Sequence, residues 1–423
     1  MNYKTWVSLL LVAVIVASTL AAGCAPGAPA PAKPVAEVPV GSLNDMTGPT
    51  SDVGKDYALG IQEAIRWVNE QGGVNGKPIR LFQYDYGYRV PEAITTYKRF
   101  RDFDKVVAVL GWGTGDTEAL APTINADKMP YVSASYSAGL SDPKKTPYNL
   151  YAASDYSSNA RAALTAWYEE IWLKSDKFKA EREAGVKPRF VAFYGWATPY
   201  ASAPIKAIKD QAKLLGMEVG PDQDVTLTAL DTKSQVLAAK EFKPHVVWHG
   251  NTTMSVATAV KDAAALGLGA DHLVNNWGYD ENLPKLAGAA AEGVIGIAVS
   301  AFYGEDVPGM DKLKASAQKY NPAAKDRLIR TVQAWANVLA LWEAMKRADK
   351  AGELNGPGIM KAFESLKGYD VGLGVPPLTY TAADHRPASR VRIYQIKGGK
   401  FALLKEVDLK AKWADKWPEW LGW

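Results

Sequence analysis

Val106-Val-Ala-Val-Leu-Gly-Trp-Gly-Thr-Gly-Asp-Thr117 is the stretch on which the reading of the whole chain turns. Its first five residues are apolar and bounded by a glycine, so they read as one short buried strand. Glycines at 111, 113 and 115 then open a loop, and Glu118-Ala-Leu-Ala-Pro-Thr-Ile begins a helix. Strand, glycine loop and helix N-terminus in that order leave backbone N–H groups without partners. Such a place suits a carboxylate or another hydrogen-bonding ligand group.

The same alternation continues on both sides. Val38–Leu43 is a first strand, and Asn44–Gly54 a turn-rich loop. Asp56–Gln71 carries Tyr57, Ile61, Ala64, Ile65 and Val68 on one face, the stripe of an amphipathic helix. Ile79–Tyr86 is a strand, Pro91–Phe103 a helix, and Pro130–Ala134 another strand. The pattern then restarts. Helices are expected at Ser157–Lys174, Tyr200–Leu215 and Met254–Leu266, alternating with strands at Arg189–Gly195, Val246–Gly250, His272–Asn276 and Gly293–Val299. Strands and helices in this rhythm mean parallel βαβ units with right-handed crossovers. Two such sets predict an α/β protein of two Rossmann-like lobes, with a ligand cleft at the C-terminal ends of the strands. Helices at Met310–Tyr320, Arg330–Ala348 and Gly356–Leu366 follow, then a hairpin of Val391–Ile396 and Phe401–Leu404. The closing Trp413, Trp417, Trp420 and Trp423 read as a tail that packs its rings on a lobe.

At 423 residues the chain is long enough for two cores. An apolar fraction of 48% and a charged fraction of 22% are those of a globular protein. The net charge of +4 comes without an arginine-rich block or basic stripe, which argues against nucleic acid as a partner. Lys4, the uncharged run Trp6–Leu20 and Ala21-Ala-Gly-Cys24 read as a signal peptide over 1–23, too short for a spanning helix. Cys24 is the sole cysteine, so no internal disulfide can form. Ala25–Pro39 is proline-rich and reads as an extended tether.

Catalytic and cofactor motifs are missing where they would be sought. Gly111-Trp-Gly-Thr-Gly-Asp is not Gly-x-Gly-x-x-Gly, and Gly72-Gly-Val-Asn-Gly-Lys-Pro lacks the phosphate-loop spacing. His245 and His249 lie on an expected strand with no intervening glutamate, so no metal site is expected, although His249, at the strand end, is a candidate for the cleft. No Gly-x-Ser-x-Gly elbow occurs, and Ser133, Ser135 and Ser137 have no histidine nearby in sequence. The expectation is a binding protein without cofactor, not an enzyme. The alternative class is an exported enzyme or a sensory ligand-binding protein.

Several segments together resemble a known family. Met46-Thr-Gly-Pro-Thr-Ser-Asp-Val-Gly leads into a helix ending Trp67-Val-Asn-Glu-Gln-Gly-Gly-Val-Asn-Gly-Lys-Pro-Ile. With Ala264-Ala-Leu-Gly-Leu and Ala291-Glu-Gly-Val, this resembles the leucine/isoleucine/valine-type solute-binding proteins of ABC importers, of type I periplasmic-binding fold. The segment ending at Cys24 resembles a bacterial lipobox, with Ala21 where leucine is more usual. The resemblance implies a lipidated tether at 24–37, a first lobe of 38–153 plus 301–372, and a second of 154–300 plus 373–423, joined by three crossovers. It implies an exported monomer, anchored to the membrane only by lipid at Cys24 on the periplasmic or outer face. Such a protein closes on a small ligand and delivers it to permease subunits.

By the same resemblance, a ligand carboxylate would meet Gly113, Thr114, Gly115 and Asp116, with Ser135, Tyr136 and Ser137. Tyr200, Asn251, Thr252, Trp277 and Tyr279 would face it from the second lobe, and Trp112 would add a ring. The chain departs from the family pattern at Val53, at Gly115-Asp116, and at Thr198-Pro-Tyr-Ala. No acid stands at the usual amine position; Asp116 and Asp280 are the substitutes. A buried ammonium without a carboxylate partner is costly. A branched-chain or related amino acid is therefore the family default, with an aromatic acid, amide or other apolar carboxylate as the alternative.

Overall fold

The computed structural model describes residues 36–423; the expected signal peptide, Cys24 and most of the tether lie outside them. The first lobe opens with β1 (Val38–Asn44) and α1 (Ser51–Glu70), then β2 (Ile79–Asp85) and α2 (Val90–Arg99). β3 (Ala108–Gly111), α3 (Thr114–Asp127), β4 (Tyr131–Ser133) and β5 (Asn149–Leu150) complete its sheet. The sheet is wholly parallel, in the order β2-β1-β3-β4-β5. β3 is covered on both faces, which is why it reads as an unbroken apolar run.

After Leu150 the chain crosses to a second lobe. There stand α4 (Tyr156–Trp167), α5 (Lys179–Glu183), β6 (Arg189–Tyr194), α6 (Pro199–Ser202), α7 (Ile205–Leu214), β7 (Glu218–Val219) and β8 (Gln223–Asp224). α8 (Lys233–Phe242), β9 (Val246–His249), α9 (Thr253–Ala265), β10 (Asp271–Val274), α10 (Asn282–Ala287) and β11 (Ile295–Ala298) follow. The parallel part runs β7-β6-β9-β10-β11, the same order as in the first lobe. Beyond Ala298 the chain returns to supply α11 (Met310–Tyr320), α12 (Ile329–Lys350) and α13 (Gly356–Glu364); α11 and α12 pack on α1, and α13 on α12. A third crossing delivers β12 (Arg390–Lys397) and β13 (Lys400–Asp408), an antiparallel hairpin added to the β11 edge, followed by α14 (Leu409–Lys412). The molecule is thus two α/β lobes joined by three crossings.

Several boundaries shift for identifiable reasons. The helix expected over Tyr200–Leu215 is two helices, because Pro204 has no N–H to donate and its ring clashes with the preceding turn. The helix expected to reach Phe103 stops at Arg99, and Phe100–Asp104 forms a wider turn that Lys105 ends in left-handed geometry (φ 51°). α1 begins five residues early, at Ser51, so that Asp52 and Val53 are helical. In the tail, Trp417 lies on Arg386 (3.7 Å), Trp420 on Arg161 (4.2 Å) and Trp423 on Lys206 (4.0 Å). Among the described residues no helix is long and apolar enough to cross a membrane.

Candidate functional site: the cleft between the lobes

In both sheets the strand order reverses beside the first strand, and the loops leaving that point on each lobe face one another. Open α/β sheets bind ligands there. A cavity of ≈ 20 Å³ lies between them, lined by Thr50, Val53, Tyr88, Trp112, Gly113, Thr114 and Ala134, together with Tyr156, Tyr200, Thr252 and Trp277. That is room for about one water molecule, so aromatic side chains largely fill the cleft.

The first-lobe wall is built by a short relay. Buried Asp45, just after β1, accepts from the Thr50 N–H (2.8 Å) and the Thr50 hydroxyl (2.7 Å). Thr50 Oγ1 in turn accepts from Trp112 Nε1 (2.9 Å), which fixes the indole beside Gly113. Thr114 and Ser135 share a hydroxyl–hydroxyl bond of 2.7 Å just behind the cavity. The second-lobe wall is Trp277, whose ring centroid is 4.9 Å from that of Trp112. Its Nε1 donates to the Tyr156 hydroxyl (2.9 Å), and the Arg330 guanidinium lies 4.9 Å from its ring. Arg330 starts α12 and reaches across, donating to Asn276 O (2.8 Å) and to Asp280 Oδ2 (3.0 Å). Both members of that ion pair are fully buried.

Two helix N-termini, one from each lobe, border the cavity: α3, with Gly113 as its cap, and α9, with Thr252. In neither helix does the cap residue's own side chain accept from the first turn. The hydroxyls of Tyr200 and Thr252 are buried and without partners, as polar groups awaiting a ligand would be. Asp52 spans the lobes from α1, accepting from the Met254 N–H of α9 (3.2 Å). Burial pushes its carboxyl up to about 6 against that backbone bond.

Of the residues singled out in the sequence, Trp112, Gly113, Thr114, Tyr200, Thr252 and Trp277 line this cavity. Gly115 and Asp116 line a neighbouring, larger space instead. Asp116 is buried, accepts from the Tyr86 hydroxyl (2.7 Å), and has its carboxyl pushed up to about 7 by burial. Ser135 stands behind Thr114, and Tyr136 stacks beneath Trp277 with ring centroids 5.8 Å apart. Ser137 turns away to bond Glu118 (3.1 Å).

Three others lie elsewhere. His249 is enclosed in the second lobe, its Nε2 2.8 Å from His272 Nδ1, and burial followed by that neighbour depresses its basicity. Asn251 is consumed locally, accepting from Gly195 N–H and donating to Val225 O and Ser255 Oγ. Tyr279 packs between Phe302 and Phe401 behind β11. Asp280, one of the two possible amine partners, is held by Arg330 and by the Thr253 hydroxyl (2.7 Å). Val53, noted in the sequence as a departure from the family pattern, lines the cavity, whereas sequence reasoning missed Thr50, Tyr88, Ala134 and Tyr156. Among the described residues no group of three or more His, Cys, Asp or Glu gathers as metal ligands would.

Two lobes, matching strand orders and an interlobe cleft bordered by a helix N-terminus from each lobe define a closing-cleft binding protein. Residues 37–400 match the family described as Periplasmic binding protein, and the chain belongs to that family. It is 33% identical to an ABC transporter substrate-binding protein of Aeropyrum pernix, over 88% of this chain and 96% of that one, with a TM-score of 0.78. The fold is shared with a branched-chain amino acid ABC transporter protein from Thermus thermophilus with bound valine (24% identity, 88% and 96% covered, TM-score 0.80). It is shared equally with a fatty acid ABC transporter substrate-binding protein from Thermomonospora curvata (21%, 88% and 92%, TM-score 0.76). Members of the family are extracytoplasmic solute-binding proteins rather than enzymes.

Proposed function

We propose that this protein captures a small apolar carboxylate that carries no ammonium group and hands it, by lobe closure, to the permease of an ABC importer. The observation that carries this reading is the cavity lining: eleven residues, none charged, bordered by one helix N-terminus from each lobe. Helix N-termini favour an anionic group, and a ring-lined wall favours an apolar body. An ammonium would find no free carboxylate in this cavity, since Asp280 belongs to Arg330. The chain acts as a monomeric, non-enzymatic receptor, lipid-anchored at Cys24 on the extracytoplasmic side.

A second reading, an amino acid ligand, draws on one feature. Asp116 Oδ2 is buried without a partner in the space next to the cavity and could accept from an amine. Calorimetric titration separates the two, comparing valine with isovalerate and phenylalanine with hydrocinnamate, each pair differing by the amine. The deaminated member should bind at least about tenfold more tightly. Tighter binding of the amino acids would establish the second reading and sink the first.

A further inference from the structure

Tyr88 is the unexpected residue of the cleft. It follows Gly87 in the loop after β2, and its φ of 58° lies in the left-handed region that a tyrosine rarely adopts. That backbone turns its ring over Gly113, where a side chain at 113 would meet Tyr88 Cε2 at 2.7 Å. Tyr88 thus stands over the first turn of α3, the helix end that an incoming carboxylate would approach.

The same residue has a second face. Beyond it lies an outer chamber of ≈ 480 Å³, also between the lobes, lined by Pro49, Tyr88, Val90, Gly115 and Asp116 on one side. Ala197, Thr198, Pro199, Leu227 and Thr228 close the other side. Tyr88 is common to this chamber and to the ≈ 20 Å³ inner cavity.

We infer that Tyr88 is a movable partition and the length-determining residue of the site: a ligand carboxylate at the start of α3 displaces its ring from over Gly113, the two chambers merge, and an apolar tail enters the outer one. This rests on the carboxylate reading given above, which it extends to a ligand with a chain rather than a compact side chain. The walls suit such a tail, since Pro49, Val90, Pro199 and Leu227 are among the lining residues. Each methylene that leaves water for such a wall tightens binding roughly fourfold.

The test uses butanoate, hexanoate and octanoate as probes, with their α-amino derivatives in parallel, titrated into the full chain and two variants. Tyr88→Gly removes the partition with a residue that accepts the left-handed backbone. Thr228→Trp, at an exposed lining position, fills the outer chamber without touching either core. Tyr88→Gly should strengthen octanoate relative to butanoate by about tenfold or more. Thr228→Trp should weaken octanoate by about the same factor and leave butanoate within about twofold. Equal changes at all lengths, or a length profile identical in the three proteins, including none at all, would overturn the inference. The amino series keeps the two ideas apart: if it alone binds, the carboxylate reading falls, while its own length profile still judges Tyr88.

Discussion

Trp112 and Trp277 meet across the cleft as near equals, yet they are held in opposite ways. Trp112 is fixed entirely from its own lobe, through Thr50 and Asp45. Trp277 is held by Tyr156, the first residue of α4 in its own lobe, and from across the cleft by Arg330, which belongs to a helix packed on the first lobe. One wall therefore stands ready before the lobes meet, and the other takes its shape from their meeting. The lesson is that closure and the second half of the site are a single event, with Arg330 as the joint between them.

The largest test of that asymmetry is Arg330→Met. It leaves Asp280 buried without its cation, a loss of about 3–5 kcal/mol in urea unfolding. Truncating the walls comes next. Trp112→Ala and Trp277→Ala should each weaken ligand binding by about tenfold or more in calorimetry. They should differ in small-angle scattering, where only Trp277→Ala should raise the open fraction of the unliganded protein. Equal scattering profiles would remove the distinction between the walls.

The smallest effect is on pH. Burial between the lobes lifts Asp52 to about 6, whereas an open form returns it to water and toward its ordinary value. The closed form therefore binds more protons in that window, so acid favours closure. Lowering the pH from about 7 to 5.5 should raise the closed-to-open ratio by about fourfold through this group. Glu281, lifted to about 7 by burial beside the start of α12, adds in the same direction. Asp52→Asn should remove its own share; an unchanged slope would show that Asp52 takes no part.

Much of this was legible beforehand because it depends on local pattern. Alternating apolar runs and amphipathic stripes mark the βαβ order, and the glycines after Leu110 mark the turn whose Trp112, Gly113 and Thr114 line the cavity, although the helix there already starts at Thr114. What escaped depends on geometry between segments. His249 ends a strand, where a shift of one residue decides between cleft and sheet face, and it pairs instead with His272 on the adjacent strand. Tyr279, two residues past Trp277, turns to the opposite side of its loop and fills the space above Gly296. Tyr88 was hidden because nothing in Tyr86-Gly-Tyr-Arg announces a left-handed tyrosine. Tyr156 opens α4, 121 residues before Trp277, and only the tertiary fold of the second lobe brings the two together.

Gly115, odd as a gripping residue, has its reason in the facing lobe. A methyl group there would stand 3.2 Å from Pro199 Cγ, so the surfaces come to rest against one another at this point. The pair works as a mechanical stop whose thickness sets how far the jaws travel. Any bulkier residue at 115 would be a shim, holding the lobes ajar while leaving Trp112, Gly113 and Thr114 at the inner cavity in place.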